Sequence, residues 1–191
     1  MAKIGLNNFR YSKLTESETG TATYAGAKKP ARAVSCKVSV STSSASLYAD
    51  DVLAESDTSF NNGTVTIGID EEDNATMADL LGHTLAEEGG EMVRNANDVS
   101  PYVGLGRVIV KMVKGARKYK VEFLCKVKFS EPSQDDKTKG ENVEFTTSEL
   151  EGTVSTLADG TWSKTKTFDT QADAIKYLEG LMAAPGAVSG H

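Results

Sequence analysis

The feature that most constrains this chain is a strict two-residue alternation. Val34, Cys36, Val38 and Val40 alternate with Ser35, Lys37, Ser39 and Ser41. Successive side chains of a strand point to opposite faces, so this pattern describes a half-buried β-strand and fits no helix. The same period returns at Val121, Phe123, Cys125, Val127 and Phe129, interleaved with Glu122, Leu124, Lys126 and Lys128. Both cysteines fall on the apolar phase, where a free thiol packs as a small hydrophobe. Two cysteines this far apart make neither a disulfide framework nor a zinc site.

Further strands are expected at 64–69, 85–94, 106–113, 143–147, 151–157 and 162–168. The four residues Lys114-Gly115-Ala116-Arg117 are short enough to join their flanking strands as a hairpin. Gly68 interrupts its strand and signals a bulge or a close backbone approach. Helical spacing is scarce. Residues 74–82 read as a short helix capped by Asn74 or Thr76 and stopped by Gly82. Residues 171–182 read as a second, with Ala174, Ile175, Leu178, Leu181 and Met182 on one face and Thr170 as its cap. The stretches 16–30, 49–62 and 131–142 read as long polar loops, and 184–191 as a flexible tail. The expected fold is one mainly-β domain over 1–191, an antiparallel β-sandwich or barrel-like sheet flanked by one or two helices and carrying long assembly loops.

Charge is segregated along the chain. No Lys or Arg lies between Lys37 and Arg94, an interval holding Asp50, Asp51, Glu55, Asp57, Asp70, Glu71, Glu72, Asp73, Asp79, Glu87, Glu88 and Glu91. From Arg107 to Lys128 the sign reverses: Lys111, Lys114, Arg117, Lys118, Lys120 and Lys126 face Glu122 alone. Such regions either neutralise one another inside the fold or meet across a subunit boundary in a head-to-tail arrangement. The candidate contact residues are Asp50, Asp51, Glu55 and Asp57 against Arg117, Lys118 and Lys120. The net charge of −6 counts against tight binding of nucleic acid through phosphate contacts.

Catalytic chemistry finds few footholds. His83 is the only internal histidine, and after Leu80-Leu81-Gly82 it reads as a capping or packing residue. The run Asp70-Glu71-Glu72-Asp73 lacks the ligand spacing and central glycine of a calcium loop, and reads as a solvated turn before a helix. Gly104-Leu105-Gly106 lacks the third glycine of a dinucleotide loop. No catalytic, cofactor or metal residue is therefore assigned. The two Asn-x-Thr triplets, at Asn62 and Asn74, read as chance patterns. No apolar run approaches the ~20 residues of a membrane-spanning helix, and the start Met1-Ala2-Lys3-Ile4-Gly5 has no secretory core, so folding in a cytoplasm is expected.

Several pieces in order resemble one family. They are Met1, Lys3, Ile4, Gly5, Leu6, Asn8 and Tyr11 followed by Lys13-Leu14-Thr15; Leu47-Tyr48-Ala49-Asp50-Asp51-Val52-Leu53-Ala54-Glu55 running on to Phe60-Asn61-Asn62-Gly63; Leu80-Leu81-Gly82-His83; Asp98 to Gly106 with Pro101-Tyr102-Val103-Gly104-Leu105-Gly106; the strand 119–129 ending in Glu131-Pro132; and Gly160-Thr161-Trp162 before a closing helix. By overall pattern the chain resembles the major tail proteins, or tail tube proteins, of siphophages and prophages of Gram-positive bacteria. The resemblance implies a β-sandwich with a flanking helix, assembled in the bacterial host cytoplasm into hexameric rings that stack as a hollow tube in the virion. It implies partners as well: further copies of itself, a tape measure protein, tail terminator or tail tip proteins, and DNA in transient passage through the lumen, with no membrane and no cofactor. The stretch 49–62 would be an inter-subunit or inter-ring loop, with 131–142 and the tail after 184 as further candidates. Two other readings fit the residues: the inner tube of a contractile tail or secretion apparatus, and a monomeric β-sandwich that binds a surface.

Overall fold

In the computed structural model the described residues are 2–30, 33–49, 52–69, 73–86, 90–133 and 148–184. Their strands are β1 (Ala2–Glu16), β2 (Ala22–Tyr24), β3 (Ala33–Ala49), β4 (Val52–Ile69), β5 (Thr84–Leu85), β6 (Met92–Val93), β7 (Tyr102–Val113), β8 (Ala116–Phe129), β9 (Ser148–Ser155) and β10 (Ser163–Phe168). Helix α1 (Asn74–Leu81) follows β4, and α2 (Gln171–Leu181) follows β10.

The mainly-β expectation holds. Eight strands form one antiparallel sheet in the order β2-β1-β7-β8-β9-β4-β3, with β10 also on β8. The sheet curls until Arg107 Nη1 on β7 donates to the Cys36 carbonyl on β3 at 2.7 Å. Among the described residues no ladder joins β3 to β1 or β2, so the barrel stays open there. Strands β9 and β10 run in line along β8, β9 on Lys126–Phe129 and β10 on Tyr119–Leu124. The chain steps out between them through a turn at Gly160, whose φ is 82°.

Both faces of the sheet are packed, which single-phase alternation could not reveal. One core holds Tyr11, Ile67, Leu105, Leu124, Phe129 and Leu150 beneath α1. The other holds Tyr24, Val108, Phe123 and Cys125 beneath Ala174, Leu178 and Met182 of the α2 region. Alternate residues of β7 feed the two cores in turn. Its glycines let α2 and the neighbouring rings come close: a Cβ on Gly106 would lie 2.2 Å from Leu178 Cδ1, and one on Gly104 2.6 Å from a Tyr24 ring carbon.

Turn chemistry explains the connections. Lys114 (φ 49°) and Gly115 (φ 81°) form the two-residue β7–β8 turn, with left-handed backbone at both positions. Asn8 (φ 49°) occupies a bulge where β1 slips against β7 between Asn7 and Arg10. Gly68 does not interrupt β4; the bulge is on the facing strand, where Val34 is the extra residue between the Ala33–Ile69 and Ser35–Gly68 pairs. The close approach is to Ser35, whose Oγ would lie 2.5 Å from a Cβ on Gly68. Gly82 ends α1 at φ 81°, and a Cβ there would sit 2.3 Å from the Val99 carbonyl oxygen. Thr170 caps α2, accepting from the Asp173 amide at 3.2 Å.

Four sequence expectations need correction. The cap of α1 is Asp73, which accepts from the Ala75 and Thr76 amides, rather than Asn74 or Thr76; a carboxylate there also suits the helix dipole. The strand expected over 85–94 is reduced to the two-residue β5 and β6, paired Thr84 to Val93 and Leu85 to Met92. The stretch 16–30 is not all loop, because β2 pairs with the end of β1 and Lys28 bridges to Tyr11. The largest correction concerns 49–62, read as a polar loop; residues 52–62 are strand, paired to β3 except at Ala54 and Asn61, where the register shifts. Polar side chains occur in paired strands as well as in loops, and only the ladder tells them apart. The strand expected over 143–147 and residues 134–142 lie outside the described residues.

Candidate assembly surfaces

Strand β9 pairs with β4 only over Gly63–Ile69. Beyond Gly63 the β3–β4 hairpin continues as two strands, with no third among the described residues, from the Ser41–Asn62 pair to the Ala49–Val52 pair. At about 3.3 Å per residue, Val52 to Asn62 spans roughly 35 Å. The root of this ribbon is anchored by Phe60, stacked on Trp162 with ring centroids 4.7 Å apart and planes 6° apart. The outer edge of β3 has no strand against it among the described residues. On that strand Cys36 and Val38 pack on the core, whereas Val34 and Val40 are 58% and 46% exposed.

Strand directions order the charges. With β9 antiparallel to β8 and β4 antiparallel to β9, the β3–β4 and β7–β8 turns close the same end of the sheet. Helix α1, β5 and β6 follow the other end of β4. The acidic interval is therefore split. Glu55 and Asp57 lie on the ribbon, opposite Leu47 and Ala45, whereas Asp73, Asp79 and Glu91 lie at the α1 end. Asp50 and Asp51 lie outside the described residues.

Several cations of the basic stretch pair with acids on β1, on β8 and just before α2. Glu122 takes Arg107 through Nε at 2.7 Å and lies 3.7 Å from Lys120. Lys118 pairs with Asp169 and Lys126 with Glu16. Arg117, Lys111 and Lys114 have no ion-pair partner among the described residues, and Lys111 stands opposite Lys118 in the ladder. Like charges facing across two strands are unfavourable unless an anion intervenes. So the structure brings the backbone of Glu55 and Asp57 to the same end of the sheet as Arg117, Lys118 and Lys120. Asp79 is instead internal: Lys13 Nζ is 2.9 Å away, Lys28 pairs with it, and Tyr11 donates to it at 3.2 Å. Burial pushes the Asp79 carboxyl up, but the two lysines outweigh it and hold the group below the usual carboxylate range.

His83 is more than a packing residue. Its side chain is 5% exposed, with Nδ1 2.8 Å from Asp98 Oδ2 and Nε2 2.5 Å from Glu131 Oε1. Asp98 also accepts from the Asn95 amide at 2.8 Å, and together these hydrogen bonds hold its carboxyl below the usual range. Spacings of 15 and 48 residues carry no motif, so nothing in the sequence joins these three. Burial pushes up both thiols, Cys36 and Cys125, the latter to about 11. Among the described residues no group of three or more His, Cys, Asp or Glu is placed to hold a metal ion, and no helix is long and apolar enough to cross a membrane.

No family model matches the chain, and no curated protein matches its sequence.

Proposed function

We propose that this chain is a structural subunit that polymerises into stacked rings, as the tail tube protein of a long-tailed phage does. The observation that carries the reading is the two-stranded ribbon beyond Gly63. A lone two-stranded hairpin is marginal in water, and its open edges offer backbone donors and acceptors to another chain. A neighbouring copy supplies complementary edges at every position of a ring. The half-exposed Val34 and Val40 on the adjoining edge strand suit the same role.

The charge layout supports a polar assembly. One end of the sheet presents Lys111, Lys114 and Arg117; exposed Glu91, Glu131 and Glu149 belong to segments at the other end. A copy stacked end to end sets basic against acidic, a heterologous contact that repeats without closing. The ribbon acids meet a different partner. Being at the same end as Arg117, Lys118 and Lys120, they reach the basic turn of a copy standing alongside at the same level. On this reading the assembled tube takes a tape measure protein inside it, terminator and tip proteins at its ends, and DNA in passage.

Negative-stain microscopy of concentrated protein tests the reading. Rings or tubes are expected, and replacing residues 42–60 with a short turn should leave a folded monomer that forms neither. Normal tubes from that variant would refute the role of the ribbon. Dispersed wild-type monomers would instead favour a surface-binding module.

A further inference from the structure

The Asp98–His83–Glu131 arrangement joins three separate segments through one buried ring. His83 follows the glycine that ends α1, Asp98 closes the turn that begins at Asn95, and Glu131 stands where the chain leaves β8. Each ring nitrogen faces a carboxylate oxygen, at 2.8 and 2.5 Å. Neutral imidazole has a single N–H, so it can donate to only one of them, and the other nitrogen then turns a lone pair toward an anion. Only the imidazolium, with two N–H groups, satisfies both. The Glu131 contact is not aligned as a hydrogen bond, and Nε2 is one of two buried side-chain polar atoms without a hydrogen-bond partner among the described residues.

We propose that His83 is a proton-operated clasp: protonated, it ties Glu131 and the exit of β8 to the end of α1, and on losing its proton it lets Glu131 go. The order of release follows from the surroundings. Asp98 is fixed by a second hydrogen bond from the Asn95 amide and its side chain is 18% exposed, whereas the Glu131 side chain is 53% exposed and has water to turn to. The remaining proton therefore stays on Nδ1, against Asp98. Asp98 and Glu131 are the two carboxylates within 4.0 Å of the ring among the described residues. The adjoining segments also carry Arg94, next to the Asn95 turn, and Lys128, which β8 holds over the Tyr102 ring. The clasp needs an ionised carboxylate and a protonated imidazole, so loss of the ring proton opens it. It is a property of the monomer fold and stands whether or not the chain builds tubes.

Amide hydrogen exchange of the monomer, corrected for the intrinsic pH dependence, tests this at Ser130, whose amide donates to the Glu151 carbonyl at 2.9 Å beside the clasp. Protection at this amide is expected to fall at least about tenfold between pH 5.5 and pH 8, with α1 and β7 unchanged. In Glu131→Gln, an exposed position at which the fold should survive, protection should be low at both pH values. Ring nitrogen shifts in a His191→Ala background, where His83 is the sole histidine, should report two N–H groups at pH 5.5 and Nδ1–H alone at pH 8. Protection that is independent of pH, or a pH response that persists in Glu131→Gln, overturns the proposal. So does a neutral ring protonated on Nε2.

Discussion

Replacing Gly106 with alanine should destabilise the domain by about 1–2 kcal/mol, although alanine is ordinarily the better residue in a strand. The new Cβ would lie 2.2 Å from Leu178 Cδ1 and 2.9 Å from Met182 Cε, and both of those side chains are fully buried. Carbon atoms rest at roughly 3.5–4.0 Å, so Leu178 must retreat by more than 1 Å into a packed layer or α2 must lift from the sheet. Overpacking of this kind costs about 1–3 kcal/mol, and the lower entropy of the unfolded alanine chain returns about 0.5–1 kcal/mol. For a domain of this size the net cost corresponds to a Tm lowered by roughly 2–8 °C. Urea denaturation followed by circular dichroism gives the free energy directly. Leu178→Ala alone should cost about 2–5 kcal/mol through the cavity it leaves. Combined with Gly106→Ala, the added methyl group occupies that cavity, so the double variant should fall short of the summed costs by about 1 kcal/mol or more. A neutral Gly106→Ala, or strict additivity in the cycle, would refute the claim that α2 rests directly on the β7 backbone.

Asp79→Asn should destabilise the fold by about 1 kcal/mol at pH 7, since it removes the anion shared by Lys13 and Lys28. The folded-state pKa of Asp79 is depressed, so its contribution is present above the unfolded carboxylate pKa and lost as pH falls through the folded value; the gap between wild type and variant should close below about pH 4. Phe60→Ala should shift the emission of Trp162, the single tryptophan, to the red and cost about 1 kcal/mol, as the stack at the ribbon root opens. An unchanged emission maximum would mean that Trp162 does not rest on Phe60. With a disulfide-exchange reagent at pH 8, partly exposed Cys36 should react slowly and buried Cys125 only on unfolding; two equally fast thiols would contradict the packing.

The alternating phases of β3 and β8 were legible because apolar residues recur at every second position. On β3, however, only Cys36 and Val38 of that phase pack on the core, and on β8 the phase divides between the α2 core (Val121, Phe123, Cys125) and the α1 core (Val127, Phe129). Helix α2 was legible too: its apolar spacing and Thr170 cap match, and the expected extent 171–182 runs one residue past Leu181. The ribbon was not legible. Ser41 to Asn62 is rich in serine, threonine, asparagine and acid, a composition shared by polar loops and by strands with no covered face. Its identity as strand lies in the cross-strand ladder between β3 and β4. The short β5 and β6 failed for the opposite reason: Leu85, Met92 and Val93 gave an apolar signal, yet Val93 is 49% exposed and the pairing is only two residues long. The cap of α1 differed by one residue, since Asp73, Asn74 and Thr76 are all competent and only geometry selects among them.

What the sequence determined by itself is the mainly-β class, the β7–β8 hairpin, both helices and the separation of acidic from basic stretches. These depend on period, turn residues and composition, all readable over a few neighbours. Tertiary structure alone decided where those stretches go. Strand direction sends Glu55 and Asp57 to the basic end and Asp79 into an internal cluster, and it brings His83 between Asp98 and Glu131. A sheet is built from pairings between distant residues, so position along the chain fixes what a residue is, and the order and direction of strands fix what it meets.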